Sequence, residues 1–132
     1  MLRRQVALFL AVSATALLAS CSGGSPENAP AAFYKASAAG EVDKAMEYVS
    51  FANFKAEEMV MAKGKVQMVV GRIQQTASSN DGLEKVEIIE SVVGEDGNSA
   101  KVKTKLLFKN GKDKTDTVNV VKDDGKWKIT LK

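Results

Sequence analysis

Histidine is absent from this chain, cysteine occurs once, tryptophan once and proline twice among 132 residues. Without histidine there is no Ser-His-Asp or Cys-His constellation and no imidazole to hold a metal. Acid–base work would fall to Asp, Glu, Lys or Tyr. No metal and no cofactor is expected. The single cysteine, Cys21, cannot form an internal disulfide, so the domain must be held by its core alone. Charge of one sign is also scarce. Taking Arg3 and Arg4 of the leading segment from 19 Lys and Arg leaves 17 against 16 Asp and Glu, a net of +1. A nucleic-acid footprint needs a clustered basic excess, so nucleic acid is excluded as a partner.

What is present begins with an address. Arg3 and Arg4 form a short positive region, and Val6 to Leu18 is an apolar run of signal-peptide length. The run is too short for a transmembrane helix, which needs roughly 20 apolar residues. Leu18-Ala19-Ser20-Cys21 then matches the bacterial lipobox, in which the cysteine thiol is alkylated with diacylglycerol, the chain is cut before it, and the new amino terminus is acylated. Cys21 is therefore read as a lipidation site, with residues 1–20 as a lipoprotein signal peptide. An ordinary secretory signal is the alternative, since Ala19 and Ser20 also suit the commoner signal peptidase. Three acyl chains would anchor the protein to a membrane permanently. Ser22 is not the Asp that retains lipoproteins at the inner membrane of enteric bacteria. The expected location is the cell envelope, and in a Gram-negative source the periplasmic side of the outer membrane.

Residues 21–30 carry Gly23-Gly24 and both prolines, Pro26 and Pro30, and read as a lipidated tether. Residues 31–132 read as one domain with two periodicities. Apolar residues at helical spacing (Ala29, Ala32, Phe33, Ala36) predict a first helix stopped by Gly40. Val42, Ala45, Met46 and Val49 predict a second. A third, capped by Ser50 or Asn53, carries Met59, Ala62, Val66, Val69, Ile73 and Ala77 on one face, with Met59, Met61 and Met68 as filler. Beyond Ser78-Ser79-Asn80-Asp81-Gly82 the period falls to two. Strands are expected over residues 83–93, 100–109, 115–122 and 126–131, with a type I′ turn at Asn110-Gly111 and another turn at Asp123-Asp124-Gly125. The fold class is α+β: N-terminal helices packed on a curved four-stranded antiparallel meander.

The lipobox, the stretch FYKASAAGEVDKAMEYVS and the closing VVKDDGKWKITLK together resemble a group of small bacterial lipoproteins. That group carries a domain of unknown function in the nuclear-transport-factor-2-like, cystatin-like superfamily. Its most specific elements here are Ala39-Gly40-Glu41 with Asp43-Lys44-Ala45, and Asp124-Gly125-Lys126-Trp127-Lys128. None is a catalytic motif. The resemblance implies a sheet curved into a cone whose mouth can hold a small ligand. Relatives include enzymes, binding modules and dimerisation domains, so fold alone leaves function open.

Glu90 is the first candidate for chemistry. If Val86, Ile88 and Val92 face inward, alternation puts Glu90 in the cone, where burial would make its carboxylate a base. If Ile89 and Val93 mark the inner face instead, Glu90 is solvated. Tyr34 and Tyr48 are the candidate ligand-binding hydroxyls, although a tyrosine beside an alanine stripe more often packs its ring and wets its oxygen. Lys101, Lys103, Lys105, Lys126, Lys128 and Lys132 form either a basic docking face or a solvated sheet surface balanced by Glu84, Glu87 and Glu90. The reading is a membrane-anchored envelope lipoprotein that binds a small ligand or an envelope protein without turning it over. The alternatives are an isomerase- or dehydratase-like enzyme built on a buried carboxylate, and an assembly accessory acting as a homodimer.

Overall fold

The computed structural model describes residues 24–131. Residues 1–20, Cys21 and Lys132 lie outside the described residues, and with them the signal-peptide and lipidation expectations. Helix α1 (Asn28–Ala38) starts inside the stretch read as tether, and Ala29 and Pro30 are already buried. Pro30 sits in the first turn, where its missing N–H has no helical acceptor to lose. The helix ends as the sequence predicts. Gly40 takes φ +76°, and the Glu41 and Gly40 amides donate back to Ala36 and Ser37 at 2.9 Å each.

Helix α2 (Val42–Met46) follows, then strand β1 (Val49–Ser50), which the sequence reading missed. Ser50 does not cap a helix; its hydroxyl donates to Asp123 at 2.9 Å. The long helix α3 (Met59–Ser79) is entered through a 3₁₀ turn (Ala56–Glu58), with the Glu58 carboxylate accepting the Lys55 amide at 2.8 Å. Its inner face holds Ala62, Val66, Val70 and Ala77. Met61 and Met68 are not filler, being 76% and 64% exposed on the opposite face.

Strands β2 (Leu83–Val93), β3 (Ser99–Phe108), β4 (Asp113–Asp123) and β5 (Lys126–Thr130) form the expected meander. β1 adds a short parallel pairing to β5, so the sheet order is β1-β5-β4-β3-β2 and the sheet is mixed. On β3 the alternation predicted from sequence holds at every position: Ala100, Val102, Thr104, Leu106 and Phe108 are buried against the helices. Val120, Trp127 and Ile129 continue that layer on β4 and β5.

Of the two expected turns, one is found as read and the other is not. Asp124 and Gly125, at φ +54° and +79°, make the two-residue turn with both central residues left-handed. At Asn110-Gly111 only Gly111 is left-handed, and the loop spans three residues, with Phe108 donating to the Lys112 carbonyl at 2.9 Å. The cause is Asn80. Its side chain closes the end of α3 by donating to Thr76 at 2.8 Å, while its amide oxygen accepts from Asn110 at 2.9 Å. Asn110 is thereby held as a bridge between α3 and the hairpin, a use that the two-residue turn would forfeit. Asn80→Ala should cost about 1–2 kcal/mol in urea denaturation, the scale of two part-exposed hydrogen bonds and a lost helix end. An unchanged midpoint would show that the bridge carries no stability.

Candidate functional site

A cavity of about 220 Å³ lies between α1, α3 and the inner face of the sheet. Its floor is apolar, built from Phe33 on α1, Ile73 on α3, Leu106 and Phe108 on β3 and Val118 on β4. Its polar end is built from Tyr34, Arg72, Lys114 and Asp116. Strand pairing explains this set. Val102, Thr104 and Leu106 stand opposite Val118, Asp116 and Lys114, so the inward row of β3 draws Lys114 and Asp116 onto the same face.

Tyr34 is 6% exposed, and its hydroxyl donates to the Asp116 carboxylate at 3.2 Å. Thr104 is fully buried, and its hydroxyl donates to the Asp116 carbonyl at 3.1 Å. The other Asp116 oxygen accepts the Thr117 amide at 3.1 Å. Burial pushes the Tyr34 hydroxyl well above the ordinary phenol range, and the Asp116 charge adds to this; Thr104 works in the opposite direction. At any physiological pH Tyr34 is a neutral donor held over an apolar cavity.

Of the residues singled out from sequence, the cavity gathers Tyr34 alone. Tyr48 lies half-buried on the far side beside Trp127, in a shallow groove with Glu47, Lys126 and Lys128. The inward expectation for Glu90 is corrected. A bulge between Ile88 and Glu90 breaks the alternation, so Ile88 pairs with buried Thr104 but Glu90 pairs with Lys103 on the outer face, exposed. The same register sets Glu87 opposite Lys105, so the outer lysines face carboxylates across the strand. Asp116, Arg72 and Lys114 were missed. Counting back by twos from Val120 and Val118 reaches Asp116 and Lys114, so two of the three were legible in the period of β4. Arg72 flanks the buried face of α3 and carries no sequence signal.

Among the described residues, no three His, Cys, Asp or Glu side chains come together as a metal site. No helix there is long and apolar enough to cross a membrane. The phenolate absorbance tests the state of Tyr34. Because its ionisation is displaced upward, Tyr34→Phe should leave the absorbance rise near 295 nm unchanged up to about pH 11, one unit above an ordinary tyrosine. A reduced rise in the variant would place Tyr34 in contact with water.

The fold recurs in a solved structure. A crystal structure from Campylobacter jejuni, of a protein provisionally named an NTF2-like transpeptidase, superposes with a TM-score of 0.75 at 27% identity. The match covers 83% of this chain and all of that one. The intermembrane space region of the chloroplast protein ARC6 gives a TM-score of 0.45 at 16% identity, over 79% of this chain and 88% of its own. No curated protein matches by sequence. The α+β architecture, with helices packed on a curved, open sheet, is the NTF2-like cone. A family model described as "Domain of unknown function (DUF4878)" matches residues 19–130, and the chain belongs to that family.

Proposed function

We propose that this protein is an envelope lipoprotein, anchored through Cys21, whose cone receives a small molecule against the Tyr34–Asp116 pair. The observation that carries the reading is a built polar end on an otherwise apolar cavity of about 220 Å³. A packed cone would leave no such space, and an accidental surface hollow would not bury a tyrosine hydroxyl against a carboxylate. Convergent polar groups in a mainly apolar pocket are the usual form of a small-ligand site. With α1 beginning at Asn28, residues 22–27 could span at most about 20 Å of extended chain, which keeps the cone near its membrane.

A second reading, catalysis in the same cone, is favoured by the same pair. An Asp carboxylate can take a proton from a bound carbon acid, and as it is protonated the tyrosine hydroxyl, released from it, can turn its one hydrogen to the developing oxyanion. The carboxylate is then Asp116, not Glu90. The name of the Campylobacter protein points to acyl transfer, which requires an activated nucleophile. Among the described residues, the hydroxyls lining this cavity are Tyr34 and Thr76, no serine lines it, and the raised Tyr34 is a weak nucleophile. The site thus supports binding, or proton transfer, better than acyl transfer.

A fragment screen read by ¹H–¹⁵N shifts tests the site. Hits should move the Tyr34, Ile73, Leu106 and Asp116 amides, and Val118→Phe, which fills the half-buried wall, should abolish them with the spectrum otherwise folded. Hits that cluster elsewhere, or that survive Val118→Phe, would contradict the proposal. Cys21→Ala should move the protein from the membrane to the soluble fraction, and continued sedimentation with membranes would contradict the anchor.

A further inference from the structure

The proposed cone has a charge signature of its own. Arg72 on α3 and Lys114 on β4 line the mouth from opposite walls, and both side chains are exposed. Among the described residues the ion pair within 4 Å is Lys85–Glu87, on the edge strand, so neither mouth cation is neutralised by a carboxylate. Asp116 is the acid of the mouth, and its two oxygens are engaged by Tyr34 and the Thr117 amide. Two cations and one carboxylate leave the mouth one positive charge in excess.

We infer that the cone selects a monocarboxylate, a small molecule whose carboxylate sits between Arg72 and Lys114 and whose apolar body fills the cavity floor. The inference rests on the reading of the cone as a ligand site and adds the chemical class. One excess positive charge matches one carboxylate. A phosphate monoester would bring a second negative charge into a mouth that already holds Asp116, at the cost of like-charge repulsion. The guanidinium fork matches a planar carboxylate through two parallel hydrogen bonds, and Lys114 supplies a flexible second charge. Lys114 and Asp116 are two residues apart on one strand face, about 7 Å along it. A ligand whose carboxylate neighbours an N–H can therefore meet both, donating that hydrogen to Asp116. The carboxyl terminus of a peptide has this chemistry; a short acyl carboxylate has the charge and the apolar body but no donor.

The test uses three probes on the full lipidated chain in detergent. N-acetyl-leucine carries the carboxylate, the N–H and an apolar side chain; N-acetyl-leucinamide lacks the charge; isocaproate lacks the N–H. N-acetyl-leucine should bind about tenfold tighter than its amide, the scale of one charge-assisted hydrogen bond. Arg72→Gln and Lys114→Gln, both at exposed positions, should bring the two affinities together, the acid losing more than the amide. Tighter binding of N-acetyl-leucine than of isocaproate supports a peptide terminus as the source, and equal binding supports an acyl carboxylate; either keeps the carboxylate inference. Equal binding of acid and amide to the wild type overturns the inference but leaves the cone a ligand site. Binding of none of the three, in a protein whose shifts show it folded, overturns both.

Discussion

A hydroxyl at zero exposure in the middle of an apolar strand face is costly to leave unpaired, and Thr104 is that hydroxyl. An unpaired one would cost about 1–3 kcal/mol. Its neighbours along β3 are Val102 and Leu106, which offer nothing, so it reaches across the ladder to the carbonyl of Asp116. The pairing fixes β4 beside it, and with β4 the inward direction of Asp116 and Lys114. Tyr34 then closes the group from α1. The apolar floor, the buried phenol and the charged mouth meet around this one polar residue of a core strand.

The edge of the sheet works differently. β2 has one neighbour, and its pairing slips twice, between Leu83 and Lys85 and between Ile88 and Glu90. Each slip inserts a residue and re-aims those that follow. The second turns Glu90 away from the cone and Ser91 toward buried Val102. Strand β2 is also where apolar side chains stay exposed, with Ile89 and Val93 each 49% accessible. The inner strands line the cavity, and the edge carries the bulges.

The sequence made most of the architecture legible because its signals were local. Gly40 had to end α1, the five alternate residues of β3 had to face one way, and residues 94–98 and 124–125 had to turn. What escaped was set by distant partners. β1 is two residues long and exists because Val49 and Ser50 lie beside Ile129 and Thr130, some eighty positions away in sequence. The Asn110-Gly111 loop follows its contact with Asn80 rather than its own dipeptide preference. The apolar–polar pattern left the direction of Glu90 open, because a bulge leaves no mark in it. Asp116 was overlooked although its period was readable, because the acidic, threonine-rich run from Asp113 to Thr117 looks like solvent-facing strand. That Asp116 is exposed at the mouth and yet bonded inside it is a property of the cone, not of the residue type.

Tyr34 and Asp116 form one hydrogen-bonded unit at the polar end of the cone. A double-mutant cycle on stability, Tyr34→Phe against Asp116→Ala, measures their coupling directly. A hydrogen bond to a carboxylate, reduced by the solvent that reaches Asp116, predicts a coupling of about 1 kcal/mol. Additive effects, with no coupling beyond measurement error, would show that the two side chains are neighbours without being partners.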